Sequence, residues 1–116
     1  DNLLLLVSDH VNGKFERVEG FDDSMGAQTK GMYEAPTAVK LADGRWCLFA
    51  DFYGAGCAGQ GYVPFVSDDL TKGVFTRADE AFHFPYGFKH GTILPITEEE
   101  YERMLARDWT DVPDLR

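Results

Sequence analysis

Apolar residues in this chain come in short runs divided by polar, glycine-bearing turns, and within several runs apolar and polar positions alternate. That pattern belongs to β-strands rather than helices, whose apolar positions recur every three or four residues. Runs at residues 35–41, 45–52, 62–67 and 74–78 predict four successive strands. Ala42, Asp43 and Gly44 join the first two, with Asp-Gly as a hairpin signal. A loop at 54–61 holds four glycines, and a polar turn at 68–73 precedes the fourth strand. A further strand is predicted at 90–96, after a long loop at 79–89 rich in Phe, Pro and Tyr. The run at 3–7 is short and follows no basic segment, so it predicts a buried strand rather than a leader peptide. Residues 20–34 are expected to be an irregular loop.

Only the tail departs from the β pattern. Thr97 followed by three glutamates has the form of a helix capping box, with Glu100 at the third helical position. Tyr101, Met104 and Leu105 follow at helical spacing, which predicts a short helix from Glu98 to about Arg107. Residues 108–116 contain a proline, lack periodicity and read as a linker or frayed end.

The chain also repeats itself. Ser8, Asp9, Val11, Gly13, Phe15, Arg17 and Glu19 align with Ser67, Asp68, Leu70, Gly73, Phe75, Arg77 and Asp79, with one residue inserted at Thr71. An apolar run precedes each copy. Downstream, residues 34–39 and 90–94 open matching apolar runs. A repeat of this size with about four short strands marks a β-propeller blade. The expected architecture is all-β: a β-propeller fragment of about two four-stranded blades, with a short C-terminal helix. Residues 1–96 would supply the outer strands of one blade, a complete blade and the inner strand of the next. Residues 97–116 would form the helix and tail. Propellers have four to eight blades, and five such blades would need roughly 290 residues. The missing partners would be further blades of the same protein, or a second copy.

Composition narrows the function. Twenty acidic residues against eleven basic ones give a formal net charge of −9. Such a surface repels nucleic-acid phosphates and anionic lipid heads, so neither is an expected partner. No apolar stretch reaches the length needed to cross a bilayer. Cys47 lies in an apolar run and reads as a small buried hydrophobe. Cys57 lies in the glycine-rich loop, and the pair has no zinc-site spacing. Nothing in the chain separates a cytoplasmic from a secreted location.

Antiparallel blades place their turns alternately on two rims. Residues 20–34, 51–61 and 79–90 would then share one rim, and long irregular loops carry binding more often than tight turns. Glu34 and His90 would stand at the mouth of the central channel, each at the entry of an inner strand. Pro36 should hold its predecessor in an extended conformation and so fix the approach of Glu34. Glu34 can serve as an acid there, or be an ordinary exposed glutamate. His90 can orient a carboxylate, bind substrate or stand beside an ion, or simply pack beneath a loop. Asp51 can bond a sugar hydroxyl or cap a turn. Tyr33, Phe52, Tyr53, Phe82, Phe84, Tyr86 and Phe88 enrich the same rim, where aromatic faces can stack on sugars or fill the core. His10 and His83 are expected to be structural.

Four segments, taken in order, resemble one known family: residues 33–37, 44–51, 67–70 and 89–96. They are similar to the C-terminal part of family 43 glycoside hydrolases, the β-xylosidases, α-L-arabinofuranosidases and arabinanases. The resemblance implies a five-bladed propeller that inverts the anomeric centre with three acids: a base Asp, a positioning Asp and an acid Glu. Glu34, in its Glu-Ala-Pro context, matches the general acid. His90 matches a central histidine that in many members lies beside an ion or water. Tyr33, Tyr53, Asp51 and Phe88 would shape the site or contact substrate. Both family Asp residues belong to earlier blades, so this chain alone would lack the base. The implied substrates are xylo- or arabino-oligosaccharides. No cofactor is required, and a calcium ion is compatible with the central channel. Two other readings stay open: a propeller that binds glycans without cleaving them, and a structural or interaction propeller.

Overall fold

The computed structural model describes residues 3–28, 32–53, 61–82, 84 and 87–108. Its elements run β1 (Leu6–Val7), β2 (Glu16–Arg17), α1 (Glu19–Gln28), β3 (Tyr33–Lys40), β4 (Trp46–Phe52), β5 (Gly61–Ser67), β6 (Thr76–Arg77) and α2 (Glu98–Ala106), with single 3₁₀ turns at Leu70–Lys72 and Asp79–Ala81. Strands β3 to β6 form one antiparallel sheet in sequential order, and β1 and β2 form a separate pair. The four strands predicted within residues 35–78 are therefore present as a four-stranded meander. The chain is mostly β, in keeping with a propeller fragment, and the described residues close no ring.

The repeat holds at the level of register. Leu6 and Val7 face Arg17 and Glu16. Phe65 and Val66 face Arg77 and Thr76 in the same way. The turns match as well: the Ser8 hydroxyl donates to the His10 carbonyl, and the Ser67 hydroxyl to that of Asp69. What differs is the second edge. β5 is also paired with β4, whereas β1 pairs only with β2 among the described residues.

Strand alternation divides the sheet into two packed faces. One carries Tyr33, Leu48, Ala50, Val63 and Phe65, which join Phe21, Met25 and Phe75 in the larger core cluster. The other carries Cys47, Phe49 and Tyr62, packed against Phe82, Phe84 and Ile93. Burial pushes the Cys47 thiol up to about 11, so it stays an inert thiol.

Three expectations need correction. Residues 19–28 form helix α1, where a loop was predicted. Phe21 and Met25, one turn apart, plug its buried side into the core. Ser24 accepts from the Phe75 amide and Gln28 from the Arg77 amide, at 3.2 and 2.7 Å. The helix thus satisfies the outer edge of β6 as a further strand would, and that edge is covered. Of its two glycines, Gly20 has a packing reason, since a Cβ there would lie 2.3 Å from the Lys72 carbonyl oxygen. Second, residues 90–96 form no strand, and Leu94 and Ile96 are exposed. A strand needs a ladder partner, and the described residues offer none. Third, the fourth strand shrinks to two residues. The predicted helix α2 is present with its capping box complete.

Candidate functional site

The site begins with an irregularity in β3. Thr37 faces Phe49 and Glu34 faces Asp51, so Ala35 and Pro36 together oppose Ala50 alone. This is a β-bulge. Counting back from Thr37 by strict alternation would send Glu34 to the helix-covered face. The extra residue returns it to the other face, beside Asp51. Pro36 cannot donate to the ladder, which suits it to this unpaired position. The residue before it is not extended, contrary to expectation. Ala35 has φ +46°, a left-handed conformation that an L-residue adopts at a cost of about 1–2 kcal/mol.

Asp51 follows from the alternation of β4, on the same face as Cys47 and Phe49. It is fully buried. Its Oδ2 accepts the backbone N–H of His90 at 3.1 Å, and its Oδ1 has no hydrogen-bond partner among the described residues. Asp51 is therefore buried rather than on an open rim, and its hydrogen bond goes to the His90 backbone rather than to a turn. It anchors the segment that carries His90.

His90 is the second non-glycine residue with positive φ, at +53°. Its Nδ1 lies 3.5 Å from Asp51 Oδ2, and its Nε2 lies 3.9 Å from Glu34 Oε1. Lys89 Nζ stands 3.8 Å from that same Glu34 oxygen. Strained backbone of this kind concentrates at functional sites, at about 1–3 kcal/mol per residue. Here it brackets the carboxylate–imidazole cluster on both sides.

Aromatic packing holds the His90 segment down. Phe88 packs on Tyr62 and stacks with Phe84 at 6.0 Å between centroids. The Tyr62 amide donates to the Phe88 carbonyl at 3.1 Å, and its hydroxyl to the Gly91 carbonyl at 2.5 Å. Burial, and secondly the charge of Asp51, push the Tyr62 phenol above its ordinary range. Gly61, at φ +87°, admits the Phe88 carbonyl where a Cβ would sit only 2.6 Å away.

The cluster thus joins Glu34, Asp51 and His90, with Phe88 beside it. Tyr33 points to the opposite face, buried against Phe52 and Phe65. Tyr53 closes the end of the β3–β4 ladder by donating its amide to Met32. Cys57, His83 and Tyr86 lie outside the described residues. Sequence reasoning assigned no role to Lys89 or Tyr62. Tyr62 was legible from alternation, as the partner of Asp51 in the next strand.

The model of a family described as a probable glycosyl hydrolase domain, related to family 43, matches residues 2–102. This chain belongs to that family. No curated protein and no solved structure matches it.

Glycosyl hydrolases act through carboxyl groups, and the two in the cluster differ sharply. The Glu34 side chain is 43% exposed and that of Asp51 fully buried. One oxygen of each lies within 4.8 Å of the other. An inverting hydrolase holds its acid and base about 6.5–9.5 Å apart to admit a water. Asp51 is thus too close and too enclosed to be the base opposite Glu34. The same three side chains make a poor seat for the calcium of the family resemblance. Calcium takes six to eight oxygen ligands, whereas this set offers two carboxylates and an imidazole, with the Lys89 ammonium already beside Glu34. The protein donors alone do not complete a calcium shell.

Proposed function

We propose that this hydrolase-family chain supplies the general acid of an inverting glycosidase acting on xylo- or arabino-oligosaccharides, with Glu34 as the acid. The observation that carries this reading is the bulge at Ala35–Pro36, which sets a half-exposed carboxyl beside His90 at the end of the sheet. Glu34 gives its proton to the leaving glycosidic oxygen as the bond to the anomeric carbon breaks. A base outside this cluster takes a proton from water, whose oxygen attacks the opposite face of the sugar. His90 and Lys89 orient the acid, and Phe88 offers an aromatic face for the sugar. Further blades of the protein, or a second copy, supply the base.

The test is the configuration of the first-formed sugar, read by proton NMR while the intact protein digests xylo- and arabino-oligosaccharides. Inversion is expected with one of the two. Retention would contradict the two-carboxyl scheme, and tight binding without turnover would replace it with a glycan-binding module.

A further inference from the structure

We propose that Asp51 is a positioning residue whose buried carboxylate fixes a proton on His90 Nδ1, leaving Nε2 as an acceptor facing Glu34. This deepens the reading of Glu34 as general acid and rests on it.

Two nitrogens of one residue stand near one oxygen, the backbone one hydrogen-bonded and the ring one at ion-pair distance. The His90 backbone N–H reaches Asp51 Oδ2 at 3.1 Å, and ring Nδ1 stands 3.5 Å from that atom. The backbone bond fixes where the side chain starts, so the ring has little choice of what to face. A carboxylate only accepts, and a neutral imidazole carries one N–H and one lone pair. Nδ1 is the ring nitrogen nearer a carboxylate oxygen, and Asp51 is the buried one of the two acids, so the proton is assigned to Nδ1. Nε2 then presents its lone pair toward Glu34 Oε1, 3.9 Å away. That is contact distance rather than a hydrogen bond, and such distances tighten when substrate binds. A lone pair there suits Glu34 in its protonated form, the form a general acid needs. The opposite tautomer would offer Glu34 an N–H and favour the carboxylate. Lys89 Nζ stands 3.8 Å from the same Glu34 oxygen, so the imidazole is the neighbour whose lone pair can accept from Glu34. Asp51 reaches no substrate itself, because it is fully buried.

Nitrogen-15 NMR of the imidazoles in the 116-residue chain tests this at about pH 8.5, above the ordinary histidine range. The His90 signals are assigned by their loss in His90→Gln. Wild type is expected to carry its proton on Nδ1. In Asp51→Asn, which keeps the shape and removes the charge, the majority proton moves to Nε2. In the intact protein this variant lowers kcat about tenfold and leaves KM nearly unchanged. A wild-type His90 with a bare Nδ1 would overturn the proposal without needing any Asp51 variant. So would an Asp51→Asn spectrum identical to wild type. If Glu34→Gln leaves turnover intact, the assignment of the acid fails, and the nitrogen spectrum still decides what Asp51 does to His90.

Discussion

Glu34 and Asp51 face each other across β3 and β4 only because Ala35 and Pro36 take the place of a single residue between them. The bulge is therefore the element that builds the cluster, and its strain is concentrated at Ala35, with φ +46°. Ala35→Gly removes the left-handed penalty and should leave stability at or above wild type, by up to about 1 kcal/mol. Ala35→Val places a β-branched residue there and should cost about 1–3 kcal/mol. Urea unfolding of both variants measures the difference. Equal stability of the two would mean that Ala35 is not left-handed in solution.

Gly61 carries the second prediction. Its φ is +87°, and an added Cβ would meet the Phe88 carbonyl oxygen at 2.6 Å, which leaves no room for a methyl group. Gly61→Ala should cost about 2 kcal/mol, within the usual span for strain at a special backbone position. It should also raise amide exchange at Tyr62 and His90, whose N–H groups bond to Phe88 and Asp51. Unchanged exchange at both would contradict the packing described.

Much of this architecture was legible in the sequence, and the misses have physical causes. Strands β3, β4 and β5 announced themselves because each is a short, largely apolar run bounded by polar or glycine-bearing segments. Helix α2 was legible from Thr97 and Glu100, whose capping bonds lie within one turn. Helix α1 was not, because only Phe21 and Met25 mark its buried side and the bonds of Ser24 and Gln28 that dock it reach residues about fifty positions away. The extended approach expected before Pro36 was the wrong basis for Glu34, since Ala35 is left-handed within a bulge. Asp51 was seen as a rim acid, but its burial depends on the segment at Phe88–Gly91 folding over it, which no local pattern encodes.

Helix α2 should respond to acid. Hydrogen bonds from the Thr97 backbone, then its hydroxyl, hold the Glu100 carboxyl below its ordinary range. A depressed folded value means that this contribution is complete above the ordinary glutamate range and is lost as pH falls through the folded value. Helical circular dichroism should therefore drop below about pH 4. Thr97→Ala should weaken the helix by about 1 kcal/mol and remove that acid transition. Persistence of the transition in the variant would assign it to another group.

The side of β1 away from β2, unpaired among the described residues, is the fourth. Leu4, Leu6 and Val7 are exposed, and the repeat shows that the matching edge of β5 is covered by β4. Unpaired apolar edges recruit strands from other chains. The chain should self-associate at tens of micromolar, on the order of the affinity such an edge supplies. Leu6→Lys should reduce association. A monodisperse monomer in sedimentation at that concentration would contradict this.

The assignment of Glu34 is tested most directly by comparing two leaving groups in the intact protein with and without Glu34→Gln. The swap keeps the side chain's size at a half-exposed position, so folding should be unchanged. Turnover of a natural xyloside or arabinoside, whose sugar leaving group needs a proton, should fall at least about 100-fold, the range for loss of a general acid. A nitrophenyl glycoside, whose leaving group departs with little protonation, should be affected far less. Equal and near-wild-type rates on both substrates would remove Glu34 from the chemistry.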